Sequence, residues 1–243
     1  MIKTDIAETS FGKISGVSND FLFKKLKEGD DIFIKNTFEL MFQFMIKNIT
    51  KDSICVDIGA NIGIATIYMA RLARFVYSIE PQKIIYQFLN ENVILNNLLN
   101  IQTYNVAAFS DNVDFDLVPT SEQDGWVGEN FNIDEYNNGN YSNVYSMGSI
   151  RLKPTINGKM KGVKLDDLID GEINFIKADA EGGDIDALIG FSKKIEKYHP
   201  IIVAEYGEES ARVYNRSIND YISFANNFGY KLERLDESNL VFI

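Results

Sequence analysis

The sequence predicts an α/β protein built on a doubly wound, mostly parallel sheet. Three observations carry that prediction. From "DSICVDIG" onward, short apolar runs alternate with helical stretches in a β-α-β-α-β rhythm. The first of those runs ends on an acid and two glycines four apart, Asp57-x-Gly59-x-x-x-Gly63, from which a helix departs. The chain closes on "YKLERLD" and "NLVFI", two strand-like runs with a tight turn at "ESN", which predicts an antiparallel pair.

The elements follow in order. Residues 1–50 read as an N-terminal appendage. In it "KISGV" and "DDIFIK" are short strands, and "TFELMFQFMIKNI" is a helix with Thr37 as its N-cap. Residues 51–243 form the main domain. "DSICVDIG" is a buried strand and "IGIATIYMARLA" an amphipathic helix. "RFVYSIEP" is a second strand, "QKIIYQFLNENVILNNL" a helix and "NIQTYNVAAF" a third strand. The rhythm breaks at about 119–160, an Asn-, Gly- and Ser-rich excursion with one strand at "SMGSIRL". Insertions this long are usually functional or disordered, and this one reads as a lid. The rhythm then returns: "KLDDLID" (helix), "INFIKAD" (strand), "GDIDALIGFSKKIEKY" (helix), "PIIVAEY" (strand) and "NDYISFANNFG" (helix).

Composition narrows the function. The 243 residues are 45% hydrophobic, enough for a packed core. A formal net charge of −11 argues against an extended nucleic-acid surface, which needs clustered Lys and Arg. The single cysteine, Cys55, and single histidine, His199, leave no Cys/His zinc cluster. Any protein-bound metal would be oxygen-ligated, such as Mg²⁺. No signal peptide or membrane-spanning run is visible, so the expected location is cytoplasmic.

The glycine turn selects a ligand class. A dinucleotide turn, G-x-G-x-x-G, needs a middle glycine where the pyrophosphate meets the backbone. Here Ala60 and Asn61 occupy the middle, and the phosphate loop G-x-x-x-x-G-K-[ST] is missing too. Glu80 ends the next strand about 20 residues on, where an acid accepts hydrogen bonds from ribose hydroxyls. A ribose acid without a phosphate site suits S-adenosylmethionine, whose ammonium and sulfonium charges also favour an acid such as Asp57.

A second constellation lies in "FIKADAEGGDIDALIG". Lys177, Asp179 and Glu181 alternate, which in a strand puts them on one face. They sit at a strand's C-terminal end, where open α/β sheets bind ligands. Glu205 ends the next strand, so Asp179 and Glu205 flank one crevice if the strands are neighbours.

Together "VDIGANIG", "SIEP", "NVAAFSD", "KLDDL" and "FIKADAEGGDIDALIG" resemble the FkbM family of S-adenosylmethionine-dependent methyltransferases over roughly residues 50–206. The resemblance implies a Rossmann-like class I methyltransferase with a seven-stranded sheet and a reversed C-terminal strand. It implies O-methylation of a hydroxyl on a glycan sugar or a natural-product-like small molecule. It assigns Asp57, Gly59, Ala60, Asn61 and Gly63 to the cofactor turn, Glu80 to the ribose, and the segment Asn105 to Ala107 to the adenine. It places Asp179 and Glu181 in the family's D-x-E-G. With Lys177 and Glu205 these are the candidate catalytic residues, either with Asp179 as base or with Asp179 and Glu205 binding Mg²⁺. The chain departs from the pattern in having small Ala178 and Ala180 around Asp179. Val106 stands where many class I enzymes carry an acid for the adenine amino group.

Other residues read more plainly. Cys55 is a core thiol, His199 a capping or surface residue, and Asp166 and Asp167 helix-start acids. Trp126, Tyr136, Tyr141 and Tyr145 could stack on sugar faces or pack the lid. Thr37 and Glu39 read as a cap and an exposed helix face, with the methionine end of the cofactor as the alternative. The rival functions are a nucleic-acid methyltransferase and a non-catalytic methyltransferase-like binding subunit.

Overall fold

The computed structural model describes residues 3–29, 31–118, 136 and 146–243. In chain order the elements are β1 (Thr4–Thr9), β2 (Gly12–Val17), α1 (Phe21–Glu28), α2 (Asp31–Asn48), β3 (Ile54–Ile58), α3 (Ile64–Leu72), β4 (Phe75–Ile79), α4 (Lys83–Leu95) and β5 (Ile101–Tyr104). Then come β6 (Ala107–Ala108), β7 (Asp114–Val118), β8 (Arg151–Pro154), β9 (Met160–Val163), α5 (Leu165–Leu168) and β10 (Phe175–Ala178). The chain ends with α6 (Asp184–Ile189), α7 (Ser192–Tyr198), β11 (Ile201–Glu205), α8 (Glu208–Val213), α9 (Ile218–Phe228), β12 (Leu232–Arg234) and β13 (Asn239–Phe242).

Seven strands form the main sheet in the order β12-β13-β11-β10-β3-β4-β5. Every pair from β11 to β5 is parallel, and β13 runs antiparallel to both β11 and β12. This is the doubly wound sheet with a reversed last strand. The chain leaves β3 toward β4 and β5, then returns to lay β10 on the other side of β3. Order therefore reverses between β3 and β10, and a crevice opens beyond their C-terminal ends. The central strands are buried on both faces: Val56, Val76, Ile176 and Ile202 are all at 0% exposure.

Several elements differ from their sequence reading. From Asp31 on, "DDIFIK" begins α2, so Thr37 lies within the helix and not at its start. The local Ile-Phe-Ile alternation favours a strand. It yields to the helical spacing of Phe38, Met41, Phe42 and Met45, which packs one face of α2 into the core. "NVAAF" does not extend β5. Its two alanines form β6 in a second sheet, β6-β9-β7-β8, beside the insertion. "GDIDALIGFSKKIEKY" is two helices that part at Gly190, where only glycine fits because the Phe109 carbonyl oxygen would lie 1.9 Å from any Cβ. Asp166 accepts from the backbone N–H groups of Lys193 (2.9 Å) and Lys194 (3.0 Å), so it caps the start of α7 as well as standing in the first turn of α5. The helix α8 had no clear signal in the sequence.

The first fifty residues share a core with the glycine turn. Ile14, Phe23 and Leu26 pack with Ile62, Ile64 and Ile67. Asn92 of α4, fully buried, accepts from Ser15 N (2.6 Å) and donates to Ser15 O (3.0 Å) and Ile62 O (2.8 Å), joining hairpin, helix and turn. Among the described residues no helix is long and apolar enough to cross a membrane.

Candidate functional site

The glycine turn begins where β3 ends. Gly59 and Ala60 both donate to the carbonyl of Ile79 at the end of β4 (3.0 and 2.9 Å), which folds the chain back at once. Gly59 has φ +70, and a Cβ there would lie 1.8 Å from the Asp179 carbonyl oxygen. Both conformation and space demand glycine, because the ends of β3 and β10 touch at this residue. Asn61 follows in the left-handed region (φ +51), and Gly63 (φ +95) opens α3 without lining the crevice.

Glu80 holds this turn. Its Oε2 accepts from Asn61 N (3.0 Å) and its Oε1 from Gln82 N (2.8 Å), in a site only 4% exposed. Burial pushes its carboxyl up to about 7, partly offset by those two amides. Each oxygen keeps a second lone pair for another donor. Asn105 donates to the carbonyls of Glu80 and Pro81 (2.8 and 2.9 Å) and so braces the strand end; Ala107, not Asn105, lines the cavity. Val106 packs into the main core.

The charged residues of "FIKADAEGG" share a site, although not one strand face. β10 stops at Ala178, Asp179 follows it, and Glu181 has φ +52 in the turn beyond. Asp184 shapes that turn by accepting from Ala180 N (2.7 Å) and Gly182 N (3.1 Å). Lys177 Nζ lies 3.3 Å from Asp57, 3.4 Å from Asp179 and 3.0 Å from the Gly59 carbonyl oxygen. Burial works against the lysine's charge, but Asp179 and Asp57 outweigh it and hold its pKa above the ordinary value. Asp57 is at 0% exposure beneath the cavity and also accepts from Thr66 Oγ1 (2.5 Å). It meets Lys177 and Thr66 from behind the wall and does not itself line the site.

Glu205 ends β11, whose Ala204 pairs with Ala178. Asp179 and Glu205 thus leave adjacent strand ends. The Asp179 charge and withdrawal from water hold the Glu205 carboxyl well above the usual range, with Asp184 and Glu181 adding to the effect. Desolvation, then the charges of Asp179 and Asp184, push Glu181 to about 8.

These groups wall a cavity of about 400 Å³, within the usual range for small-molecule sites. One side carries Gly59, Ala60, Asn61, Glu80, Gln82 and Ala107; the other carries Lys177, Asp179, Glu181 and Glu205. Lys177 is the one lysine or arginine among the described lining residues, and two carboxylates already hold it. A pyrophosphate would have to compete with those two carboxylates for it. A nucleoside with a ribose and a positive sulfonium fits the donor set: Glu80 for the ribose, acids near the positive charge, small and apolar residues for the base.

Ser146, Gly148 and Ile150, where the chain returns from the insertion, form a roof. Gly148 presses on the glycine turn, since a Cβ there would lie 2.1 Å from Asn61 Nδ2. Met147 is gripped at both ends: its N–H donates to Asp20 Oδ2 (2.8 Å) and its carbonyl accepts from Gln82 Nε2 (3.1 Å). Tyr136 donates to Gln82 Oε1 (2.9 Å), so this ring is buried structure at that point. Trp126, Tyr141 and Tyr145 lie outside the described residues. Asp20, Gln82 and Asp184 went unnoticed in the sequence; the signal for Asp20 and Asp184 was an acid at a helix start.

The remaining candidates sit elsewhere. His199 caps α7 in the left-handed region, stacks on Tyr230 and meets the Phe228 carbonyl (3.0 Å), away from the cavity. Cys55 is fully buried, its thiol pushed up to about 12 by desolvation. Thr37 borders the cavity, whereas Glu39 lines a different groove. Among the described residues no group of three or more His, Cys, Asp or Glu is arranged to hold a metal, so the Mg²⁺ reading gains no support.

The strand order, the reversed strand and a glycine turn opening on the crevice beyond β3 are those of a class I methyltransferase. Comparison with known proteins narrows the class. The methyltransferase FkbM domain matches residues 57–232, and the chain belongs to that family. Among solved structures it is similar to methyltransferase FkbM from Methylobacillus flagellatus KT, with 20% identity and a TM-score of 0.50 over 80% of this chain and 44% of that one. It therefore spans less than half of that protein. Trm5b from Pyrococcus abyssi has 12% identity and a TM-score of 0.50, covering 99% of this chain and 55% of that one. M. jannaschii TYW2, solved in complex with AdoMet, has 15% identity and a TM-score of 0.47, covering 100% of this chain and 85% of that one. No curated protein matches the sequence.

Proposed function

We propose that the chain transfers a methyl group from S-adenosylmethionine to a hydroxyl of a small-molecule or glycan acceptor. The observation that carries this reading is Glu80: a buried carboxylate at the end of β4, with lone pairs to spare, beside a glycine turn that lacks a phosphate site. When bound, the cofactor supplies an electrophilic methyl on a sulfonium. The protein's part is to align and to remove a proton. Glu80 accepts from the ribose hydroxyls, Ala107 and Ala108 flank the base, and the turn at Gly59–Asn61 passes the amino-acid end. Asp179 and Glu205, on adjacent strand ends, face the acceptor. One of them takes the hydroxyl proton as the oxygen attacks in line.

Calorimetry tests the cofactor. S-adenosylhomocysteine should bind and NAD should not, and Glu80→Ala should weaken binding by about 1–3 kcal/mol through lost hydrogen bonds. Preferred binding of NAD would overturn the reading. Asp179→Asn should keep the fold and lose about 10²–10⁴-fold in turnover if Asp179 is the base. If Glu205 is the base, Glu205→Gln carries that loss instead. Were a metal to bridge the two acids, both variants would fail alike and EDTA would stop the wild type until Mg²⁺ was restored. Full activity in both variants would leave the acids as a structural ion-pair set. A nucleic-acid acceptor is disfavoured by the acidic cavity and the net charge of −11.

A further inference from the structure

Part of the cavity wall comes from outside the family domain. Phe21, Leu22, Phe33, Phe38 and Met41, on α1 and α2, all border it, and all precede residue 57, where the family match begins. Three of them are aromatic, and their rings fall in two groups, with Phe42 and Tyr68 of the second lining a neighbouring groove and not this cavity. Phe21 meets Phe33 edge-on with centroids 5.6 Å apart, and Phe38 stacks on Phe42 at 5.6 Å, which stacks in turn on Tyr68 at 3.9 Å. The wall is fixed to the rest of the site: Asp20 caps α1 through Phe23 N (3.0 Å) and holds the roof through Met147 N (2.8 Å).

The same cavity is acidic elsewhere in its lining. Glu80, Asp179, Glu181 and Glu205 border the cavity, against the one ammonium of Lys177, which Asp57 and Asp179 already flank. A phosphorylated or carboxylated acceptor would face repulsion there, since the one lysine or arginine among the described lining residues is already held by two carboxylates. An apolar body would cover the aromatic wall and gain from burying it.

From this we infer that Phe21 and Phe38 select the acceptor, and that the acceptor is an uncharged hydroxyl compound with an alkyl or aryl flank beside the methylated position. The inference rests on the methyl-transfer reading above and deepens it. Phe109, Phe115 and Tyr214 of the family domain line the same cavity, and the N-terminal segment adds Phe21, Phe33 and Phe38 to them.

The experiment uses the full chain and a panel of matched probes: octyl and 4-nitrophenyl glucosides and galactosides, the free sugars, and the sugar 6-phosphates. Transfer of an isotope-labelled methyl is measured for each, and S-adenosylhomocysteine affinity is measured separately by calorimetry. The alkyl or aryl glycosides should be methylated well above the free sugars, and the phosphates not at all. Phe38→Ala and Phe21→Ala should each lower kcat/KM for the flanked probes about tenfold or more while leaving S-adenosylhomocysteine affinity unchanged. Leu40→Ala, on α2 but half-exposed and away from the cavity, should behave as wild type. Preference for free sugars or phosphates, or transfer to no member of the panel, would overturn the proposal. So would weakened S-adenosylhomocysteine binding in the two phenylalanine variants, which would assign the wall to the cofactor. Failure of the wild type to bind S-adenosylhomocysteine would instead remove the underlying methyl-transfer reading.

Discussion

Lys177 is the residue on which the site's charge balance turns. Its side chain is 7% exposed, and its ammonium sits between Asp57, which is fully buried, and Asp179, which faces the cavity. Removing it would leave the Asp57 carboxylate buried with Thr66 as its remaining hydrogen-bond donor. Breaking a buried pair from one side costs about 3–5 kcal/mol, because the orphaned charge stays behind. Lys177→Met should lower stability by that order in urea unfolding. Adding Asp57→Asn should restore a good part of it, since a neutral amide can still accept from Thr66. A double variant no more stable than Lys177→Met would mean that the pair is not coupled. At this scale the sequence was informative where the side chain itself carries the chemistry. The position of Glu80 was legible because the strand before it is a plain apolar run that ends there, and the structure puts it buried at the cavity's edge. Glu181 was misplaced: period-2 alternation looks the same whether the strand continues or stops at Ala178, and only the left-handed turn at Glu181 decides.

Among elements, the strands of the main sheet were legible because double-sided burial writes a continuous apolar run, as in "SICVDI" and "NFIKA". The small sheet β6-β9-β7-β8 was not. Its strands are two to five residues long, and long-range pairing around the insertion makes them. The roof over the cavity was equally invisible, because Asp20 and Met147 meet across 127 residues of chain. That contact makes a prediction about elements. Asp20→Ala removes the N-cap of α1, worth about 1 kcal/mol, and leaves the Met147 N–H buried without its acceptor, worth about 1–3 kcal/mol more. Hydrogen exchange should therefore quicken over 146–152 as well as over α1, with β3 and β4 protected as before. Faster exchange confined to α1 would reduce Asp20 to an ordinary cap. If the roof loosens, acceptor KM should rise more than S-adenosylhomocysteine affinity falls.

For the molecule as a whole, the crevice concentrates carboxylates that the fold would rather keep neutral. Glu80 is pushed up to about 7 and Asp184 to about 7, both chiefly by burial. Glu181 reaches about 8, and Glu205 is raised by Asp179 and by desolvation. In the unfolded chain such groups lose their protons near their ordinary values of about 4. Between there and about pH 8 the folded state binds more protons than the unfolded one. The slope of unfolding free energy with pH is then negative, so stability falls as pH rises through this window and levels off above it. The raised Lys177 acts in the same direction but at higher pH, because its contribution is complete below the ordinary lysine value and is lost above it. Among the lowered acids Asp111 is exposed and Asp5 and Asp220 are about a third exposed or more, so solvent screening leaves them little to offset. Thermal unfolding should thus give a higher Tm at pH 5 than at pH 8. Glu181→Gln and Glu205→Gln should each flatten that dependence, raising Tm at pH 8 with little change at pH 5. Curves that stay parallel to the wild type would mean that these carboxyls ionise in the folded chain as they do in water. In that case neither would hold the high proton affinity that makes a buried acid a competent base for an acceptor hydroxyl.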